Sequence, residues 1–564
     1  MKLVIYQVFT RTFGNKNSKL KPNGTLAENG VGKMNDFDVA TLQQIKTLGV
    51  NTIWYTGVIR HATCTDYSDY GIPCQTPRIV KGKAGSPYAI TDYYDIDPDI
   101  ADNVSERMNE FEDLVKRTHK EGLKVIIDFV PNHVAREYKS ICKPKEMKDL
   151  GETDDTSKHF DANNNFYYCP NEALDTSAIP LPDGIEANVT NVMAVEYTET
   201  VARCTGNDRF DAHPQVNDWY ETIKLNYGVD YCNWGGRSTH FSPIPNTWHK
   251  MTDILLFWAA KGIDGFRCDM AEMVPHEFWQ YATEKVKAQY PHIVFIGEVY
   301  DPNQYRTYVA AGFDYLYDKV GMYDCLRDVM CGHRSASNIS QQWQATDDIR
   351  EHILYFLENH DEQRIASDFF CGNMQKGIPA LIVSALFQRN PVMIYAGQEF
   401  GERGMDCEGF SRIDGRSTIF DYWSVDAIRK GFFERNELTA EQLQLENEYR
   451  SILNICNSEK AVSEGKTFDL MYANEANEGF DSYKIFAFLR SDGNTTLLVV
   501  VNFSEAETHV SVNIPAHAFD YMGLKEGEID MVDLLSGEQK PAMLRQESSI
   551  EMEVAGLSGR IYKF

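Results

Sequence analysis

The sequence predicts an α/β fold built on a parallel sheet, followed by a smaller β-rich region. Strand and helix signals alternate from residue 3 to about residue 459, as they do in chains of βα units. Four apolar segments each end in a carboxylate, which is typical of buried parallel strands whose carboxyl ends open into a site. Near residue 460 the pattern changes to short β-branched and aromatic runs.

The strand signals follow one another in a regular order. A helix is expected near 37–48, after the first strand, and another near 107–121, after the second. After His133 the pattern gives way to a polar, Asn-rich and Pro-containing stretch, and helical periodicity is expected to resume near Trp219. The eight predicted strands are 3–9, 51–55, 123–130, 263–268, 293–298, 313–317, 353–358 and 391–395.

The last hundred residues predict antiparallel β-structure. Residues 483–489 and 497–502 are rich in β-branched and aromatic side chains, and the turn residues 491–494 (SDGN) separate them. Two such runs joined by a turn predict a hairpin. Further short strands are expected up to Phe564.

Length and charge limit the class of protein. The 564 residues, 43% of them hydrophobic, are enough for one large catalytic unit with smaller appended domains. Lys and Arg total 55 against 83 Asp and Glu, a formal charge of -28 that would repel nucleic acids and anionic membranes. A neutral substrate such as a sugar polymer fits this charge, although a soluble surface kept apart by like charges fits it as well.

The cysteines and the first residues bear on the compartment. None of the twelve cysteines forms a C-x-x-C pair or zinc-like spacing, and a Cys64–Cys74 disulfide is conceivable only in an exported protein. Residues 1–9 have the pattern of a strand and not of a signal peptide, so a cytoplasmic protein is expected. A leader removed beforehand would instead make it secreted or periplasmic. No apolar run approaches the roughly 20 residues of a membrane helix.

In each of four segments an apolar run leads to a carboxylate. The segments are residues 125–133 (VIIDFVPNH), 265–269 (GFRCD), 294–298 (VFIGE) and 355–361 (YFLENHD). Their order and residue content resemble the four sequence regions of the α-amylase family, the retaining glycoside hydrolases of family 13. Residues 4–9 and 51–54 resemble the family's first two barrel strands, and 391–399 resemble the eighth strand and its exit loop. The resemblance covers nearly the whole chain.

The resemblance implies a (β/α)8 TIM barrel with a small domain inserted after strand 3 and a C-terminal all-β sandwich domain. The expected boundaries are 1–133 for the first part of the barrel, 134–217 for the inserted domain, 218–459 for the second part of the barrel and 460–564 for the β-sandwich.

Two acids fit the chemistry of retention, which needs a carboxylate to attack the anomeric carbon and a second, protonated carboxyl to protonate the leaving oxygen. Asp269 lies two residues after Arg267 on one strand, so the guanidinium can hold it ionised as the nucleophile. Glu298 follows an apolar run that should raise its pKa, as a general acid requires.

Further residues take roles that the resemblance implies. Asp361 matches the family's third carboxylate, which grips sugar hydroxyls, and His360 and His133 match two histidines that bind the same sugar. Tyr88, in 85–93 (GSPYAITDY), resembles the aromatic platform under that sugar. Asp128 matches a structural acid expected to support Arg267 or the neighbouring loop. The aromatic residues at 166–168 and 219–220 could line a sugar groove, but they are interpreted as core.

Other positions bear on metal binding and specificity. Asn132 matches the family's calcium-binding asparagine, and 161–165 (DANNN) offers oxygen donors, so a structural calcium is an open expectation although the chemistry needs no cofactor. After Asp269 the chain has Glu272 and Met273, where many members have a lysine and a histidine that contact the leaving-group sugars. Gly85 replaces an acid common in exo-acting members, which favours internal cleavage or maltooligosaccharide binding.

The sequence therefore predicts a retaining hydrolase of α-glucosidic bonds in starch, glycogen, pullulan or maltooligosaccharides. A transglycosylase or a trehalose- or sucrose-active enzyme of the same family is the alternative. A non-catalytic binding barrel is the remote one, since relatives of that kind have lost the acids and carry a membrane helix. Linkage preference and oligomeric state stay open.

Overall fold

The computed structural model describes residues 2–182, 195–232, 236–546 and 548–564. Eight parallel strands close into a barrel in which each strand pairs with its neighbours along the chain. Strand β1 pairs with the last strand, Val4 opposite Val392, and this pairing closes the ring. The strands are β1 Val4–Phe9, β2 Thr52–Thr56, β3 Lys124–Phe129, β4 Gly265–Cys268, β5 Val294–Gly297, β6 Tyr315–Tyr317, β7 Ile353–Phe356 and β8 Val392–Tyr395.

All eight predicted strands are confirmed, and the barrel predicted from the resemblance is confirmed with them. The strands are buried almost throughout because side chains fill the barrel interior on one face and helices cover the other. The interior cluster includes Ile5, Trp54, Ile126, Ile296 and Phe356, each at most 2% exposed.

Helices surround the barrel. The two predicted early helices are confirmed as Val39–Thr47, which Asp38 caps by accepting a hydrogen bond from the Thr41 amide, and Arg107–Lys120. The longer helices after the inserted region are Asn246–Ala260, His276–Gln289, Asn338–Ala345, Gly377–Leu386 and Ala440–Ser458. The shorter ones are Thr10–Phe13, Leu26–Asn29, Tyr305–Ala310, Asp324–Met330, Asp426–Phe432, Lys460–Ser463, Met471–Asn474 and Ala516–Met522.

The expected helical periodicity near Trp219 is wrong. Thr222–Lys224 forms a strand that pairs antiparallel with His133–Ala135, and the next helix begins only at Asn246. Pairing with the segment that leaves β3 keeps this part of the chain extended. The inserted region also contains the strands Tyr168–Cys169 and Ala202–Arg203, which pair with each other. Residues 183–194 of the predicted inserted domain, 134–217, lie outside the described residues.

Two further short sheets lie near the barrel mouth. Ile59–His61 pairs with Ile90–Ile96, directly after the segment that carries Tyr88. Val229–Asp230 pairs with Ser238–Thr239. These sheets fix loops that leave the carboxyl ends of the barrel strands.

The C-terminal region consists of two antiparallel sheets, as predicted. The predicted hairpin is confirmed, since Ile485–Ser491 pairs with Thr496–Asn502 from Ile485 opposite Asn502 to Ser491 opposite Thr496. Thr508–Ile514 and Ser548–Val554 form the two-stranded sheet. The six-stranded sheet runs in the order Lys466–Asp469, Ile485–Ser491, Thr496–Asn502, Ser558–Lys563, Gly527–Asp533 and Gln539–Leu544.

All twelve cysteines are free thiols, and Cys74 donates to Asp66 instead of bonding to Cys64. Across the described ranges, no helix combines the length and the apolar character needed to cross a lipid bilayer.

Candidate active site

A cavity of about 330 Å³ opens at the carboxyl ends of the barrel strands. Parallel strands bring their carboxyl ends to one face of a barrel, so residues that are distant in sequence meet there. Of the nine predicted site residues, five line the cavity directly, and Arg267, His360, Asp128 and Asn132 lie behind its wall. The lining residues are Lys81, Ser86, Tyr88, His133, Trp219, Glu221, Thr222, Asp269, Met270, Glu298, Tyr300, Asp361, Ile419 and Phe420.

Arg267 is the centre of the charge cluster. It is fully buried, and its Nη1 lies 2.8 Å from Asp269 Oδ1 while its Nη2 lies 2.7 Å from Glu298 Oε2. Burial alone would lower the pKa of Arg267, but the negative charge of Glu298, followed by other groups including Asp269, raises it well above its usual value. One permanent cation therefore serves both carboxylates.

Aromatic rings enclose the same guanidinium. Its Cζ lies 5.3 Å from the ring centroid of Trp54, 5.4 Å from that of Tyr88 and 5.7 Å from that of Tyr317. These rings exclude water and present their π faces to the cation, which strengthens its interactions with the two acids.

Asp269 follows β4 directly. Its amide donates to Phe129 O at the end of β3, which fixes the position of the carboxylate at the mouth. Burial raises the pKa of Asp269, and the charge and hydrogen bond of Arg267 oppose that rise. The next residue, Met270, has a φ of +42°, a left-handed conformation that non-glycine residues rarely adopt and that is often found at functional sites.

Glu298 follows β5 and accepts three contacts. Tyr300 Oη donates to Oε1 at 2.7 Å, and the Met270 amide donates to Oε2 at 2.8 Å, beside the ion pair with Arg267. Burial raises the pKa of Glu298, Arg267 opposes the rise, and the charge of Asp269 adds to it. The strained Met270 therefore links the loop after Asp269 to Glu298.

Asp361 and His360 lie together after β7. His360 Nδ1 accepts from Gln7 Nε2 at 2.8 Å, which leaves the proton on Nε2, facing Tyr88 Oη at 2.5 Å and Asp361 Oδ2 at 3.0 Å. Burial lowers the pKa of His360 well below its usual value, so the ring is neutral at physiological pH. Burial, together with the charges of Glu298 and Asp269, raises the pKa of Asp361, whose side chain is still 39% exposed.

His133 and Tyr88 both line the cavity, and each lies beside another aromatic ring. The ring of Tyr88 stacks on His360 at a centroid distance of 5.2 Å and 28° between planes. His133 lies 5.2 Å from the ring of Trp219, and burial lowers its pKa to about 4. Trp219, which the sequence analysis assigned to the core, lines the cavity, whereas residues 166–168 are buried as expected.

Asp128, which was expected to support Arg267 or the neighbouring loop, lies near Arg267 and also binds residues of β2 and of the loop after it. Its Oδ1 lies 3.6 Å from Arg267 Nη1, and its Oδ2 accepts from the Gly57 amide and from Trp54 Nε1, each at 3.2 Å. The carboxylate therefore connects β2 to the arginine from behind the site.

The oxygen donors expected for calcium already have protein partners. Asn132 Oδ1 accepts from Lys224 Nζ, and its Nδ2 donates to Gly206 O at 2.8 Å. In 161–165, Asp161 pairs with Lys158, and Asn165 Oδ1 accepts from Lys250 Nζ at 2.9 Å. These residues do not fit a calcium ion, because ammonium groups take the sites that a cation would need.

A second group of donors lies elsewhere in the described part of the chain. Asp92, Asp95 and Cys142 come close enough to share a metal ion. Arg60 and Arg107 lie 3.0 and 2.7 Å from the carboxylate oxygens of Asp95, and Arg60 lies 3.5 Å from Asp92. The arginines supply the positive charge there.

Glu272 and Met273 belong to the segment that follows β4. Glu272 Oε2 accepts from the amides of Tyr300 and Asp301, each at 3.0 Å, and so holds the loop after β5. Neither residue is among those that line the cavity.

Four residues that contact the site were not predicted from the sequence: Tyr300, Gln7, Trp54 and Lys224. Tyr300 is only two residues after Glu298, and this closeness in sequence is a signal that could have found it. Gln7, Trp54 and Lys224 carry no local signal, because each meets the site only through barrel closure or through the strand pair at His133.

A larger cavity, of about 1110 Å³, lies between the barrel helices and the C-terminal sheets. Trp343, Phe468, Tyr472 and Tyr521 are among its lining residues, and it contains none of the paired carboxylates. Chemistry rather than size therefore identifies the smaller cavity as the candidate active site.

Two carboxylates that share one buried arginine at the mouth of a (β/α)8 barrel, with a third acid beside them, define a glycoside hydrolase type of site. Comparison with known proteins agrees. The family described as "Alpha amylase, catalytic domain" matches residues 7–180 and 244–472, and "Alpha amylase, C-terminal all-beta domain" matches 480–528. The chain belongs to the α-amylase family of glycoside hydrolases.

Individual relatives are distant. The α-amylase MalA of Haloarcula japonica is 24% identical over 548 residues, which are 96% of this chain and 59% of MalA. A cyclomaltodextrinase of Geobacillus thermopakistaniensis is 22% identical over 534 residues, 93% of this chain and 73% of that protein. The structure of a maltogenic α-amylase, AmyB, from Thermotoga neapolitana has a TM-score of 0.62 and 20% identity, and covers 100% of this chain and 98% of its own.

Proposed function

We propose that this protein is a retaining α-glucan hydrolase, which cleaves α-glucosidic bonds in starch, glycogen or maltooligosaccharides through a covalent glycosyl-enzyme intermediate. The observation that carries the proposal is the contact of Asp269 and Glu298 with the two terminal nitrogens of Arg267, at 2.8 and 2.7 Å. The names of the relatives support the substrate class.

In the first step Asp269 attacks the anomeric carbon while Glu298 transfers its proton to the departing glycosidic oxygen. The charge of Arg267 keeps Asp269 available as an anion, and burial favours the protonated form of Glu298. In the second step Glu298 takes a proton from water, whose oxygen attacks the anomeric carbon and frees Asp269.

The neutral groups around the acids bind the sugar. Tyr88 offers a ring face, and His133 and His360 offer uncharged nitrogens, since burial lowers the pKa of both rings. Asp361, with its exposed carboxylate beside His360, is placed to accept hydrogen bonds from sugar hydroxyls. Such contacts lower the barrier if they strengthen in the oxocarbenium-like transition state.

The test compares wild type, Asp269→Asn and Asp314→Asn on maltoheptaose and pullulan. Wild type should yield shorter maltooligosaccharides, and Asp269→Asn should lose at least about 10⁴-fold in kcat/KM because an amide is a poor nucleophile. Asp314, which accepts from the Phe295 amide at the start of β5, is the matched control and its variant should remain active.

Product analysis on the same samples decides between the alternatives. Proton NMR of the first turnover should show the α-anomer, whereas an initial β-anomer would exclude retention. Chains longer than maltoheptaose would favour a transglycosylase. Parallel incubations with trehalose and with sucrose complete the test, and turnover of these sugars alone would reject the glucan assignment.

We also propose a cytoplasmic location. A relative from Bacillus subtilis, 21% identical over 416 residues, is named an intracellular maltogenic amylase. That name supports a location inside the cell. Fractionation of the producing cells, with a cytoplasmic marker enzyme, checks this location.

A further inference from the structure

A buried lysine lies where the chain leaves and re-enters the barrel. Lys224 ends the strand Thr222–Lys224, and its backbone pairs in register with His133. Only 2% of its side chain is exposed. A lysine is rarely buried to this degree unless its ammonium has partners.

Three oxygens from three separate segments surround the Lys224 ammonium. Nζ donates to Asn132 Oδ1, lies 2.5 Å from Asp208 Oδ1 and donates to Met273 O at 3.2 Å. Asn132 follows β3, Asp208 belongs to the inserted region, and Met273 follows β4. An amide oxygen, a carboxylate and a backbone carbonyl are ligands that Ca²⁺ takes in proteins.

The ammonium and a metal ion exclude each other at this place. Both would need the same oxygens, and a divalent cation a few ångströms from a lysine ammonium would be repelled in a buried environment. The single negative charge of Asp208 balances the single positive charge of Lys224.

We propose that the Lys224 ammonium takes the place of a structural cation and is a positioning residue for the active site. It orients Asn132, whose Nδ2 lies 3.1 Å from His133 Nδ1, and it anchors Met273, three residues after the strained Met270. Through these contacts one internal cation ties the inserted region to two walls of the cavity.

The first arm of the test needs no substrate, so its outcome is independent of the proposed function. Wild type is treated with EGTA and then titrated with CaCl2, with Tm followed by calorimetry and binding by isothermal titration. The expected result is an unchanged Tm and no heat of binding. A Tm that falls in EGTA and recovers with calcium would overturn the proposal.

The second arm compares Lys224→Met with Lys250→Met. Lys250 is a matched control because it is also largely buried and donates to Asp149 O and Asn165 Oδ1, away from the cavity. Lys224→Met should lower Tm by about 5 °C and, below that transition, lower kcat on maltoheptaose about tenfold. Lys250→Met should change Tm alone.

The separation of kcat from Tm identifies a positioning role. If Lys224→Met loses stability but keeps the wild-type kcat, or keeps both, Lys224 does not position the site and the proposal fails. If wild type itself has no glucan activity, the proposed function fails while the metal independence measured by calorimetry still stands.

Discussion

Two fully buried arginines in different regions of the molecule have opposite surroundings. Arg267, at the barrel mouth, has carboxylate oxygens of Asp269, Glu298 and Asp128 within 3.6 Å. Arg490, between the barrel and the C-terminal sheets, donates to the hydroxyl of Thr467 and to four backbone carbonyls, those of Phe387, Ala461, Val462 and Gly465.

Electrostatics separates the two arginines further. Burial lowers the pKa of Arg490 to about 9, whereas the charge of Glu298 and its neighbours raises that of Arg267. The neutral carbonyls around Arg490 satisfy its hydrogen bonds and hold the C-terminal sheets against the barrel. The three acids around Arg267 have shifted pKa values, which suits groups that take part in a reaction. For these two arginines, the partners and not the degree of burial distinguish the candidate active site from a structural contact.

Arg267→Met removes the cation that lies among the three acids. Without the cation the acids cannot all stay ionised, so kcat/KM should fall by about 10³-fold or more. The loss of a partner for buried charges should also cost about 3–5 kcal/mol in the free energy of unfolding. Kinetics and calorimetry on one preparation check both effects.

Arg267→Lys is the control for charge alone. The lysine variant keeps a cation but loses the two-pronged guanidinium that reaches Asp269 and Glu298 together. It should therefore be more stable than the methionine variant, while its kcat should still be well below that of wild type. Wild-type kcat in either variant would contradict the role given to Arg267.

Arg490→Met should show the opposite balance. Four backbone carbonyls would lose a donor, which should reduce the free energy of unfolding by about 3 kcal/mol, while kcat on maltoheptaose stays within about twofold. Urea unfolding and initial rates below the transition measure the two quantities. A large fall in kcat with unchanged stability would show that Arg490 also serves the site.

Tyr300→Phe removes a single hydroxyl group and should have a modest effect. The hydroxyl donates to Glu298, which favours the ionised form and lowers the pKa of Glu298. Without this hydrogen bond the pKa of Glu298 rises, so the acid stays protonated up to a higher pH. The alkaline limb of the kcat/KM profile should therefore move to higher pH. The rate at the optimum should fall about tenfold.

Tyr305→Phe is the matched control for the pH profile. Tyr305 Oη donates to Asp318 Oδ1 at 3.2 Å, a tyrosine–carboxylate pair outside the cavity. Its variant should leave the alkaline limb where wild type has it, and an equal shift in both variants would mean that the limb does not report Glu298.

Much of the fold could be predicted from local pattern. The barrel strands lie close to their predicted limits because parallel strands buried on both faces have continuous apolar runs. The helix expected near Trp219 was wrong because Thr222–Lys224 gains its strand conformation from pairing with His133–Ala135, some ninety residues earlier. Local periodicity does not include that partner.

The residues of the candidate site also fall into a group that local sequence predicts and a group that it does not. Residue order predicts that Asp269, Glu298 and Asp361 meet, since each follows an apolar run and parallel strands end at one face of a barrel. The contact of Arg267 with Glu298, those of Tyr300 and Met270 with Glu298, and that of Lys224 with Asn132 are visible only in the tertiary structure. Those contacts depend on distances between segments far apart in the chain, and barrel closure sets such distances where residue order does not.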